Sequence, residues 1–140
     1  QPKTKYHMHD LRDPESYEHF ERRKSRLIVE GYKFNGWVYI ASWPGSRQSK
    51  IGYTKGNPIK RVKDIFSLSA IGIGAIFCPF SDAFAVESFV HRILYSMGLE
   101  SNSKSINGIV PRNGSSEIFD IDYQTACALV NDVAANWRVE

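Results

Sequence analysis

The chain has little sulfur, with two cysteines and two methionines, and no apolar run near the roughly 20 residues that a membrane-crossing helix needs. A spanning helix is therefore excluded. Cys78 lies in an apolar run and Cys127 in a helical pattern, without CxxC spacing or a Cys/His cluster. Two buried free thiols are the expectation, as suits a reducing compartment such as the cytoplasm of the producing cell or of a target cell. The GxxxxGK[ST] loop, HExxH and GxSxG are all missing, and Gly72-Ile73-Gly74 lacks the third glycine and the helix start of a dinucleotide fingerprint. Most common enzyme classes lose their basis. His7 and His9 form an HxH pair, but near a terminus expected to be mobile, where a metal site has little support. There are no internal repeats. No leader pattern is visible, and the start at Gln1 rather than Met leads us to expect a processed form or a fragment.

What is present is a globular composition, 42% hydrophobic and 24% charged, in 140 residues. That length supports a single core. The net charge of +3 is unevenly spread. Residues 1–33 carry net +2, residues 34–76 net +5 with Asp64 as the one acid, and residues 77–140 net −4. A local excess of cations attracts polyanions through long-range field and counterion release, so a phosphate-bearing partner is expected. A merely solvated face would show the same charge.

Asp13-Pro14 supplies an N-cap and an N1 proline, predicting a helix over about 14–29 that ends in the basic cluster Arg22-Arg23-Lys24-Ser25-Arg26. Those cations can touch nucleic acid or simply complement the helix dipole. The stretch GWVYIASWPGSRQSKIGYTKG, residues 36–56, reads as a β-hairpin: strands at 37–41 and 50–54, a turn at Pro44-Gly45-Ser46, and one tyrosine on each strand, Tyr39 and Tyr53. Asn57-Pro58 starts a second helix, about 58–68, with Arg61 at the border of its apolar side. Residues 70–80 read as a loop followed by a buried strand at about 75–80. Ser81 or Asp82 then caps a helix to about Met97, ended by Gly98, on which Glu87 and His91, four apart, flank the core stripe. A long Ser/Asn/Gly/Pro loop (101–116), a short strand at 117–121 and a strongly patterned helix at 123–137 complete the chain. This order predicts an α/β (α+β) fold: a small central sheet of about three strands, β-hairpin first, flanked by helices, with extra N- and C-terminal helices. The expected division is an N-terminal helical extension at 1–33 and a domain at 34–140.

The ordered set of WVYI, then KIGYT ten residues on, then an arginine on the next helix and a glutamate on the helix after the third strand resembles the GIY-YIG nuclease superfamily. It is most similar to the divergent branch typified by a phage T5 open reading frame, whose second motif reads K-I-G-x-T. The resemblance covers about residues 36–121. It implies that Tyr39 is the tyrosine of the first motif, Arg61 the helix arginine and Glu87 the metal-binding residue, with His91 and Glu117 at positions usual in the divergent branch. Lys50 stands where classical members keep a second tyrosine. Tyr53, three residues further along a strand, should point to the face opposite Lys50.

Phosphodiester hydrolysis needs these residue types. One carboxylate holds Mg²⁺, or Mn²⁺, loosely, so that water and substrate phosphate complete its shell. An arginine forks onto phosphate oxygens. A phenol becomes a useful base or nucleophile only where nearby cations favour its phenolate, and Lys50 can supply such a field. His91 is either a general base or a partner that orients Glu87. Arg47, Lys55, Lys60 and Lys63, with Arg23 and Lys24, are the candidate nucleic-acid contacts. Each also has an ordinary role: Tyr39 as a core tyrosine, Arg61 a surface cation, Glu87 a helix-flank charge, His91 a capped core histidine. The resemblance implies a metal-dependent endonuclease, with DNA as the expected partner. The alternative is an inactive nucleic-acid-binding module of a larger protein, and a weaker third reading is a protein-interaction domain.

Overall fold

The computed structural model describes residues 7–9, 14–31, 36–42, 45–56, 58, 60–61, 71–77, 82–102 and 118–137. Its elements are β1 (His7–His9), α1 (Pro14–Val29), β2 (Trp37–Ser42), β3 (Ser49–Thr54), β4 (Ile71–Phe77), α2 (Ala83–Ser96), β5 (Ile118–Phe119) and α3 (Tyr123–Ala135). The strands form one antiparallel sheet in the order β1-β4-β2-β3-β5. The expected three-strand centre is β4-β2-β3, built around the hairpin, and the short strands β1 and β5 extend it at its two edges. No helix among the described residues is long and apolar enough to cross a membrane.

Alternation along the hairpin sets two faces. Val38 and Ile40 of β2 and Ile51 of β3 join a core with Ala83, Val86, Val90 and Leu94 of α2 and Ala126, Val130 and Ala134 of α3. Full burial of a side chain such as Leu94 contributes about 1.5–3 kcal/mol. The intervening β2 residues Trp37, Tyr39 and Ala41 are buried as well. This explains why WVYIA is a continuous apolar run instead of an alternating one: both faces of a central strand are covered.

The helices expected at 14–29, 82–97 and 123–137 are present with close bounds, though α3 ends at Ala135 and leaves Trp137 beyond it, packed against the core. The helix at 82–97 is Ala83–Ser96, and its N-cap Asp82 makes no side-chain capping bond; its carbonyl accepts from the Val86 amide at 2.9 Å. At the other end Gly98, with φ of +72°, donates to Tyr95 O while Leu99 donates to Leu94 O, both at 3.0 Å. That pair of bonds is a Schellman motif, which a side chain at position 98 would strain. The chain then runs beside β5, with Ser101 N donating to Ile118 O and Asp120 N to Leu99 O.

Two expectations are corrected. The strand expected at 75–80 runs instead over Ile71–Phe77 and takes in the glycines that read as loop. Gly74 and Ala75 stand opposite Ile40 and Tyr39 of β2, so small residues occupy the register positions beside bulky ones. The HxH pair belongs to β1, paired with β4, and not to a mobile terminus. Most of the helix expected at 58–68 lies outside the described residues, as do Cys78, Lys63, Glu117 and most of the 101–116 loop; Cys127 is a buried free thiol.

Asp122 caps α3, accepting from the Thr125 amide at 3.2 Å. Hydrogen bonding with Thr125, side chain first and backbone second, holds its carboxylate below the ordinary value of 3.8. A folded-state value below the unfolded one makes its charge-dependent contribution present above pH 3.8 and lost as pH falls through the lower folded value. Asp122→Ala is thus expected to lower the thermal midpoint at neutral pH, and the deficit should narrow on acidification below 3.8. Thermal unfolding followed at both pH values checks this; an equal deficit at both would refute a charge-dependent cap.

Candidate active site

Tyr39, at the centre of β2, is 1% exposed. Its cross-strand neighbours are Gly52 on β3 and Ala75 on β4. The ring lies over Gly52: a Cβ built there would stand 2.5 Å from Cζ and 2.8 Å from Cε2 of Tyr39, and against its hydroxyl. Glycine in K-I-G-x-T is therefore a matter of space, since no side chain fits under the ring.

Lys50 lies two residues from Gly52 on the same face of β3 and is fully buried. Its Nζ stands 5.9 Å from the centroid of the Tyr39 ring, within cation–π range. Such a contact contributes up to about 2 kcal/mol when desolvated. Burial of this lysine sets its Nζ near the Tyr39 ring and away from bulk solvent.

Ile51, between Lys50 and Gly52, carries the link to α2. His91 Nε2 is 2.7 Å from the Ile51 carbonyl oxygen. A carbonyl only accepts, so this nitrogen bears the proton and donates. Whatever chemistry His91 performs therefore runs through Nδ1, which is 3.8 Å from Glu87 Oε1. Glu87 is buried at 6% exposure, one turn before His91 on α2. The His91 ring is held between Phe119 and Tyr95, at centroid separations of 5.1 and 6.3 Å. The two pairs, Tyr39–Lys50 and His91–Glu87, thus meet β3 at the adjacent residues Lys50 and Ile51, on opposite faces of the strand.

The other candidates are placed differently. Tyr53 is not brought to Tyr39; alternation turns it to the core face, where it is half-buried with its ring edge-on to Phe84 at 5.4 Å. Arg61 is half-buried and, with Pro58 and Lys60, has helical backbone. Arg47, Lys55 and Lys60 are exposed, while Lys24 reaches Glu21 at 3.4 Å within α1; the Arg23 side chain and all of Lys63 and Glu117 are outside the described residues. A groove of about 1110 Å³ between the hairpin turn, the end of α2 and the start of α3 includes Arg47 but none of Tyr39, Lys50, Glu87 or His91. Sequence reasoning missed the burial of Lys50 and the Ile51 carbonyl anchor. The i, i+4 spacing had pointed to the Glu87–His91 pair.

Among the described residues no group of three or more His, Cys, Asp or Glu side chains is arranged to hold a metal ion. The donor chemistry at Glu87, a carboxylate oxygen beside a histidine, fits a divalent cation.

This is a small α+β domain with Tyr39 and Lys50 on one face of its hairpin and a His91–Glu87 pair that reaches the hairpin from α2 at the Ile51 carbonyl. A family model of the T5orf172 domain matches residues 36–135. The match covers 100 of the 140 residues, and the chain belongs to the T5orf172 domain family. That family is associated with nuclease-type phage open reading frames, and membership of it points to a nuclease-like or nucleic-acid-related role. No curated protein and no solved structure matches the chain significantly.

Gly52→Ala should cost about 1–3 kcal/mol through overpacking against Tyr39. In urea unfolding, Tyr39→Ala combined with Gly52→Ala should cost clearly less than the two single changes added together. Strict additivity would mean that the ring does not rest on Gly52.

Proposed function

We propose that the chain is a GIY-YIG-type endonuclease that hydrolyses phosphodiester bonds in DNA with Mg²⁺ or Mn²⁺ as cofactor. The observation that carries this reading is the run of contacts Tyr39–Lys50 and His91–Ile51 O across one stretch of β3, with Glu87 beside His91. In this reading Tyr39 acts on the phosphate or on its attacking water. Lys50 places a cation by the Tyr39 ring and so favours the phenolate over the phenol as charge moves. Arg61 forks onto the phosphate oxygens and steadies the charge that develops on them. Glu87 would hold the divalent ion, which when bound supplies a Lewis acid for a phosphate oxygen. The basic stretch 34–76, with exposed Arg47, Lys55 and Lys60, draws the nucleic acid in.

A second reading is a binding module without turnover. It is favoured by Lys50 at the second-tyrosine position, fully buried, and by Tyr53 facing the core, where its hydroxyl cannot stand in on the Tyr39 face.

Plasmid DNA incubated with the protein and Mg²⁺ or Mn²⁺ should be cut, and Glu87→Ala, Arg61→Ala and Tyr39→Phe should each slow cutting by about 10²–10³-fold. Equal background nicking by wild type and variants would end the nuclease reading. Salt-dependent, metal-independent retention of DNA without cleavage would establish the binding module instead.

A further inference from the structure

We propose that the solvent-facing flank of α2, with Phe84 and Tyr95 as stacking rings, binds unpaired bases, so that the DNA this domain takes is single-stranded and not fully paired. The inference rests on the nucleic-acid reading and adds to it the strand state of the substrate.

The core accounts for one side of α2. At about 100° per residue, Ala83, Val86, Val90 and Leu94 form its inward stripe, and all four are buried. Going round the helix from that stripe, the residues met in turn are Glu87, His91, Phe84, Tyr95, Ser88 and Arg92. This flank opens from a buried carboxylate to rings in solvent: Glu87 is 6% exposed, whereas Phe84 is 58% and Tyr95 43% exposed. Phe84 and Tyr95 lie within about 20° of each other around the axis and, at about 1.5 Å per residue, about 16 Å apart along it. Glu87 and His91 sit between them in height.

Single exposed apolar side chains are ordinary, but these two share a flank and are each held by a neighbouring ring. Phe84 meets Tyr53 in an edge-type contact at 5.4 Å. Tyr95 lies 5.4 Å from the buried Phe119 and 6.3 Å from His91, again in edge-type contacts. Rings anchored in this way lose little freedom when a ligand stacks on them.

Charge and shape identify the occupant. Glu87 is the one acid within Ala83–Ser96 and it is buried, so the exposed side of the helix carries Arg92 and no carboxylate. A second exposed cation, Lys55, follows two residues after Tyr53, the ring that touches Phe84. Phosphates are attracted where the rings take the bases, which is the combination that sequence-tolerant single-strand binding uses. In a duplex each base face is covered by the next pair, leaving nothing for the rings to stack on. An unpaired strand turns its bases outward and can offer one to each ring.

Fluorescence anisotropy of labelled oligonucleotides with the full chain, in EDTA so that nothing is cut, tests this. Single-stranded DNA should bind at least about fivefold more tightly than a duplex of the same sequence at the same salt. Phe84→Ala and Tyr95→Ala should each weaken single-strand binding by about 5- to 150-fold and leave duplex binding within about twofold, and Phe84→Trp should keep the single-strand affinity. Phe89, exposed on the other side of α2 against Trp137, is the control, and Phe89→Ala should move neither affinity. Only variants with the wild-type circular dichroism spectrum are compared. Photocrosslinking of the wild-type chain to single-stranded DNA carrying 5-iododeoxyuridine gives a readout that needs no variant, with adducts expected on Phe84 or Tyr95. A duplex bound as tightly as the single strand, equal losses for both strand forms in the alanine variants, or adducts confined to other residues would overturn the proposal and leave the nucleic-acid reading standing. Retention of neither strand form would overturn both and assign the rings to a protein partner.

Discussion

The register of the β2–β3 hairpin is the constraint from which the rest follows. With Tyr39 opposite Gly52 and Ala41 opposite Lys50, the side-chain period of two sends Val38, Ile40, Ile51 and Tyr53 to the helices and Tyr39, Lys50 and Gly52 to the other face. A slip of one residue would exchange the two sets completely. It would put a lysine into the apolar core and remove the one residue that leaves room under the tyrosine ring. Packing of the core and the meeting of Tyr39 with Lys50 are therefore one requirement seen from two sides of a sheet.

Lys50 shows how the requirement weighs on stability. Removing an ammonium group from water costs several kcal/mol, so its burial depends on the partners around it, the Tyr39 ring among them. A leucine or tyrosine would be easier to bury. Local choices that conflict with the best packing are expected at functional positions. Tyr53 is the counterpart: it has the residue type that a second catalytic tyrosine would need, but the wrong parity along the strand.

Much of this organisation is legible in the sequence where side-chain spacing carries it. The helix stripes, the Pro14 start, the Gly98 stop and the Glu87–His91 pair all follow from a period of 3.6, and the opposed faces of Lys50 and Tyr53 follow from a period of two. What could not be read depends on partners without a side-chain signal. The Ile51 carbonyl is backbone, and nothing in KIGYT says that a histidine forty residues away will take it. Gly72 and Gly74 weaken strand propensity, yet at Gly74 β4 runs opposite Ile40, where a small residue is an advantage. A three-residue edge strand such as β1 is too short to carry a period.

The meeting of His91 with Ile51 has a consequence beyond chemistry. β5 covers only Ser49 and Lys50 of β3, and at the next residue the outer carbonyl is taken by a side chain from α2. Sheet margins with open carbonyls and amides invite pairing with other chains. Here a helix finishes the job that a two-residue strand begins, with the Leu99–Ser101 segment closing over the far side of that strand. The histidine thereby serves the sheet as well as the site: without its ring the Ile51 carbonyl loses the donor that α2 supplies.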